Sequence, residues 1–364
     1  MLVNVLFVLE PRPNAGNMHA LVNYIRVGST LGHTIALYGT PRPDLPGVRF
    51  STDARAFDRI VFAFESELYR VTRLAEVAQL ASVPRSRRFV LDTDAKYHPM
   101  VEVDGYDRNY CSDAERARWL RHYDALSDRI LKPQLRPSDD ERVTALPFYG
   151  YDPALLITPE AAPPKRYDVL YVGHNWWRWQ ELERDVLPAL EQIRDQLGEI
   201  GFVGLWWDAP PSGFASHPCL EPAFRVNADA FRRLRIRART AVPYTDVIRT
   251  MSTGRVNIFL QRPFLKHVRY LTQRYFEEFC ADTIPLLMLD TDLAVAVYGP
   301  AARELTLPGR VAEKVLDALR RPAHYQQVVE DVRRHLVAHH LYEHRVEELV
   351  SVLRGSAAPG EIPS

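Results

Sequence analysis

A chain of 364 residues with 46 basic and 46 acidic side chains has no formal net charge. Its length favours two domains over one, and the balanced charge argues against nucleic acid as a partner, since a phosphate backbone calls for a basic excess. Cys111, Cys219 and Cys280 are too scattered for a zinc site or a disulfide framework and fit a reducing, cytoplasmic setting. No apolar run reaches the ~20 residues of a membrane span, and the opening MLVNVLFVLE is too short for a signal peptide.

The first part of the chain alternates strands and helices. Residues 3–9 are a continuous apolar run, the mark of a parallel strand buried on both faces. A helix follows at 17–31, with Leu21, Val22 and Ile25 at helical spacing. Strands are predicted at 33–38, 59–64, 87–91, 128–132 and 142–146, and helices at 67–80 and 113–125. This alternation predicts a parallel sheet wrapped by helices, with ligands at the carboxyl ends of the strands.

Pro159, Pro163 and Pro164 mark a linker at 151–166. The pattern then restarts. Strands are predicted at 169–172, 200–203, 256–260 and 284–289, and helices at 180–197, 244–251, 308–320 and 322–353. Pro188 should kink the first of these helices. In residues 232–239, RRLRIRAR, strand periodicity puts Arg233, Arg235, Arg237 and Arg239 on one face. A solvated edge strand or an anion-binding face would both produce that pattern.

Residues 271–290, LTQRYFEEFCADTIPLLMLD, carry the most chemistry. A polar turn leads into a short helix containing Glu277 and Glu278, and an apolar strand follows. A helix N-terminus at a crevice between strands offers free N–H groups that suit a diphosphate. A carboxylate one turn further in can accept from ribose hydroxyls. The stretch resembles the nucleotide-sugar site of retaining GT-B glycosyltransferases. Residues 143–153, VTALPFYGYDP, resemble the interdomain segment of that superfamily. Residues 167–174, YDVLYVGH, resemble the first strand of its second domain, and residues 338–353, AHHLYEHRVEELVSVL, its closing helix. The set spans 143–353 and is most similar to the spore-maturation-type subgroup. Asp282 stands where relatives carry Gly, and Tyr270 where many carry an upstream Glu. Counting from Arg274 makes Glu277 the ribose ligand; counting back from Pro285 makes it Glu278.

The resemblance implies an α/β chain of two Rossmann-like domains. Residues 1–150 would take the acceptor and 167–330 the nucleotide sugar, with a crossing helix at 331–354 and a disordered tail at 355–364. It implies a cytoplasmic transferase that moves a sugar from a UDP, GDP or dTDP donor to a small-molecule or glycan acceptor. Anomeric configuration would be retained, without metal or cofactor. Its donor-side residues would be Gly173, His174, Arg178, Lys266, Thr272, Arg274 and one of the two glutamates. Asn14, Gly16, Asp94, Lys96 and His98 would face the acceptor. His19 and Asp92 are the candidate catalytic groups, His19 as a base if the enzyme inverts.

Two other readings stay open. Residues 89–98, FVLDTDAKYH, resemble the opening motif of haloacid-dehalogenase-type phosphatases, in which Asp92 would attack phosphate and Asp94 donate a proton. Asp92 or Asp94 could equally cap the following turn. The third reading is a GT-B module that binds nucleotide without turnover. His340 and His344 have metal-like spacing, but the Glu of a zincin motif is missing, and the closing-helix resemblance accounts for them.

Overall fold

The computed structural model describes residues 2–12, 15–64, 80, 82–211 and 219–355. The helix expected at 67–80 and the tail expected at 355–364 lie outside the described residues, apart from Leu80 and Gly355.

The N-terminal strands are β1 (Asn4–Val8), β2 (Thr34–Tyr38), β3 (Phe50–Ser51), β4 (Arg59–Phe64), β5 (Arg88–Asp92), the two-residue strands β6 (Glu102–Val103) and β7 (Asp107–Arg108), β8 (Ile130–Lys132) and β9 (Val143–Ala145). Seven of them form one parallel sheet in the order β3-β2-β1-β4-β5-β8-β9, and β6 and β7 pair as a separate antiparallel hairpin. The second half holds β10 (Tyr167–Val172), β11 (Ile200–Val203), β12 (Arg237–Arg239), β13 (Gly254–Phe259) and β14 (Ile284–Leu287), all parallel, in the order β12-β11-β10-β13-β14. The chain is therefore two Rossmann-like α/β halves. The central strands are buried along most of their length because helices cover both faces, which is why they read as unbroken apolar runs.

Strand order reverses at β1/β4 in the first sheet and at β10/β13 in the second. Crevices open at such points, beyond the carboxyl ends of the strands. The loops that follow β1, β10 and β13 are thus placed for ligands by topology alone.

Three local expectations are corrected. The helix expected at 180–197 is irregular around Pro188, with a π turn at Leu182–Val186 ahead of it, and its α-helical part ends at Gln192 rather than 197. The arginine run is not one strand, because Ala228–Leu234 is helical and Arg235 turns the chain in a left-handed conformation (φ 53°). Only Arg237–Arg239 forms a strand, exposed at the sheet edge, where charge discourages further pairing. The C-terminal helix is interrupted between Pro322–His339 and Tyr342–Arg354.

That interruption docks the end of the chain. The His340 carbonyl accepts from Tyr151 N at 2.7 Å. Arg345, fully buried, donates to the Tyr149 carbonyl at 3.1 Å, to Glu348 and to His340 Nδ1. Burial and the adjacent Arg345 hold His340 well below its ordinary pKa, so it accepts as a neutral ring. The helix Tyr342–Arg354 then crosses to the first half, where Tyr342 meets Tyr24 edge-on at 5.8 Å and the Leu353 carbonyl accepts from Arg59 at 2.7 Å. Among the described residues no helix is long and apolar enough to cross a membrane.

Candidate active site

The loop after β1 meets the turn before Glu277 directly. A Cβ added at Gly16 would lie 3.1 Å from the Cβ of Gln273, so this approach between halves uses the missing side chain. Gln273 is buried and accepts from the Tyr342 hydroxyl at 2.9 Å. Asn17, next to Gly16, donates to Thr93 at 3.2 Å and accepts from the Tyr149 hydroxyl. His19, half-buried, stacks on Tyr244 of the second half at 3.4 Å with the rings 11° apart. Gly16 and His19 of the first half thus lie against Gln273 and Tyr244 of the second. Asn14 lies outside the described residues.

The loop after β10 supplies the second wall. Gly173 sits against Gly204, where an added Cβ would fall 1.9 Å from the Gly173 carbonyl oxygen. This lets the loops after β10 and β11 touch. His174 is open to solvent on one side and accepts from Leu205 N at 3.0 Å. Surrounding protein, then the cations Arg178 and Arg274, push its pKa down to about 4, so it is neutral at pH 7. The same two arginines act electrostatically on buried Tyr171 of β10. Arg178 is half-buried, donates to the Trp176 carbonyl at 2.5 Å and leaves its Nε without a partner. The tryptophans beside it are packing residues. Trp177 meets Tyr106 of the first half at 6.3 Å, and Trp179 packs on Phe231.

Glu277 and Glu278 are both buried, at 3% exposure each. The helix that carries them, Arg274–Glu277, is only four residues long, so its dipole adds little and the side chains must supply most of the charge chemistry. Glu277 accepts from the Tyr244 hydroxyl and lies 3.5 Å from Arg274 Nε. Burial, then Glu278, pushes Glu277 up to about 8. Burial pushes Glu278 up to about 7 against the pull of Arg274, and its Oε2 has no partner. Thr272 is half-buried at the turn and its carbonyl caps Tyr275 N at 3.1 Å.

Several expected site residues do other work. Asp92 is fully buried and accepts four hydrogen bonds: from Lys96 N and Tyr97 N at 2.8 Å each, from the Tyr123 hydroxyl at 2.8 Å and from the Tyr270 hydroxyl at 3.0 Å. Burial raises its pKa while these donors oppose the rise. With every lone pair engaged, no oxygen is left to attack phosphate, so Asp92 is corrected from catalytic group to structural acceptor and the phosphatase reading loses its nucleophile. Lys96 turns into its own half, donating to the Asn109 carbonyl at 2.5 Å beneath the Tyr110 ring. Half-buried Asp94 lies close enough to act on Lys96 and Tyr270. His98 packs between Lys132, 3.3 Å away, and the rings of Phe264 and Tyr270; burial and Lys132 push it down to about 3. Lys96 thus packs within its own half and His98 in the seam, rather than as acceptor contacts. Lys266 is paired with the buried carboxylate of Glu181, so its charge is already met.

Sequence reasoning missed Tyr244, Glu181, Thr93 and the seam pair Asp107–Arg262. Asp107 is fully buried, takes Arg262 at 2.6–3.1 Å through both oxygens, and also accepts from Phe264 N at 2.8 Å. Only the β6–β7 hairpin brings Asp107 to the second half, and nothing in the local pattern marks it.

Residues 188–351 match a family model described as glycosyl transferase-like, a span that contains Lys266, Arg274, Glu277 and Glu278. No curated protein matches the chain in sequence. Among solved structures the chain is similar to sucrose-phosphate synthase from Thermosynechococcus elongatus, with a TM-score of 0.64, 11% identity, and 97% of this chain and 98% of that one covered. It is also similar to T4 phage β-glucosyltransferase in complex with its UDP-glucose substrate, at a TM-score of 0.56 and 11% identity over 97% and 99% of the two chains. A glycosyltransferase from Rickettsia africae gives a TM-score of 0.56 at 9% identity, over 97% and 98%. The architecture is the GT-B fold. The glycosyl transferase-like segment on that fold supports a glycosyltransferase.

Proposed function

We propose that the chain transfers a sugar from a nucleotide-diphosphate donor, held by the second half, to an acceptor held by the first. The observation that supports this is that Arg178 and Arg274 both act on His174 and Tyr171 at the end of β10, with buried Glu277 3.5 Å from Arg274 and Gly16 of the first half against Gln273. Two guanidinium groups suit the charge that develops on a leaving diphosphate. A carboxylate one turn away suits ribose hydroxyls. Glu277 is the better ribose ligand, because its Oε1 already takes the hydroxyl of Tyr244, whose ring reaches His19 across the cleft. Tyr244 would have to give way to the ribose.

In this reading the reaction retains configuration and needs neither metal nor cofactor, since basic side chains neutralise the diphosphate. The acceptor is a small molecule or a glycan, and the location is cytoplasmic. The T4 enzyme's UDP-glucose makes UDP-sugars the first donors to try. Thermal-shift screening of UDP-, GDP- and dTDP-sugars should find one that stabilises the chain, by about 2.7 kcal/mol at a hundred times its Kd. Transfer or donor hydrolysis should then persist in chelator. Binding of no nucleotide sugar would overturn the reading. Binding without turnover across an acceptor panel would leave a nucleotide-binding module, and loss of turnover in chelator would overturn metal independence.

A further inference from the structure

Cys111 and Cys219 stand 108 residues apart, one in each half, yet the Cys219 thiol lies 4.0 Å from the Cys111 carbonyl oxygen. Cys111 is exposed and Cys219 half-buried, whereas Cys280 is buried. Both backbones are anchored. Cys111 N donates to Glu115 at 2.7 Å, just ahead of the helix Asp113–Leu126. Cys219 enters the turn Glu221–Phe224, where the Ala223 carbonyl accepts from Trp177 N at 3.0 Å, so it connects to the loop that carries Arg178. We propose that Cys111 and Cys219 form an oxidisable dithiol whose disulfide joins the two halves beside the donor loop.

The oxidant is a low-molecular-weight disulfide such as oxidised glutathione. One protein thiolate attacks a sulfur of that disulfide and expels one small thiolate, leaving a mixed disulfide. The second protein thiolate attacks the protein-side sulfur and expels the other small thiolate. Two protein thiols lose two protons and two electrons, and the small disulfide becomes two thiols. Partial desolvation, then Cys219 and the Glu115 charge, raise the Cys111 pKa, and Lys96 lowers it. The thiolate is the attacking form, so crosslinking should quicken as pH rises.

This inference stands apart from sugar transfer, and its readout is covalent. The whole chain is incubated with oxidised glutathione at about pH 8.5, alkylated, digested without reductant and read by mass spectrometry. The expected product is one peptide pair joining Cys111 to Cys219, about 2 Da lighter than the two thiol peptides together and released by dithiothreitol. Cys111→Ser and Cys219→Ser should each give a lasting glutathione adduct on the remaining member and no crosslink. Adducts that persist on both cysteines of the wild-type chain, a crosslink between chains, or both thiols remaining free would each overturn the proposal.

Discussion

The Tyr270 hydroxyl donates to Asp92 Oδ2 at 3.0 Å, so a fully buried tyrosine of the second half closes the hydrogen-bond shell of a fully buried carboxylate of the first. Tyr270 occupies the place where the resemblance calls for a glutamate. A carboxylate there would face Asp92 in a fully buried site, and one of the two would have to stay protonated. The tyrosine supplies a donor instead, and the position becomes part of the seam.

Removing that donor tests the seam. Tyr270→Phe leaves one lone pair of Asp92 unsatisfied and should cost about 1–3 kcal/mol in urea unfolding. Asp92→Ala strands four donors and should cost more. Asp92→Asn should leave nucleotide binding in place at native conditions; its loss without unfolding would return Asp92 to the site.

The Asp107–Arg262 pair is the ionic counterpart. Arg262→Ala leaves Asp107 charged and buried with only Phe264 N as a donor from the second half. Breaking a buried pair in this way costs roughly 3–5 kcal/mol. The midpoint of chemical unfolding reports it, and an unchanged midpoint would show that water already reaches the pair.

Glu277→Gln and Glu278→Gln separate the two candidate ribose ligands. Above about pH 8, where Glu277 is ionised, loss of its charge-assisted hydrogen bonds should weaken nucleotide-diphosphate binding by roughly 1.5–3 kcal/mol, more than tenfold. Glu278→Gln should change binding little, because the ordering of Tyr244 and His19 runs through Glu277. Isothermal titration compares them, and the opposite ranking would move the role to Glu278.

The same carboxyls set a pH dependence. Both pKa values are raised above the ordinary 4.5, Glu277 to about 8 and Glu278 to about 7. Between those limits the unfolded chain has released its protons while the folded chain keeps them, so stability falls as pH rises through about 4.5 to 8. Each tenfold gain in proton affinity corresponds to about 1.4 kcal/mol. The double variant Glu277→Gln/Glu278→Gln should flatten that slope in thermal unfolding scans, and an equally steep slope in the variant would place its source elsewhere.

The sequence by itself determined most strands of the two sheets, though not the two-residue β3 or the true extent of β12. Strands such as Arg59–Phe64 and Ile200–Val203 fall where the apolar runs put them, because a parallel strand covered on both faces must be apolar throughout. It also placed Gly16, His174, Arg178, Arg274 and the glutamate pair at strand ends, since a parallel sheet gathers the loops after its strands on one edge. Which charges remain open to a ligand was decided only by the tertiary structure. Lys266 and Arg274 look alike in the chain, but buried Glu181 takes the charge of Lys266, while Arg274 lies 3.5 Å from Glu277 and acts on His174 at the end of β10. Asp92 is closed by Tyr123 and Tyr270, 31 and 178 residues away, and Cys111 meets Cys219 across 108. Periodicity records how deeply a residue is buried along its own element. Partners across a seam follow from how two separately folded sheets dock, and no local pattern encodes that.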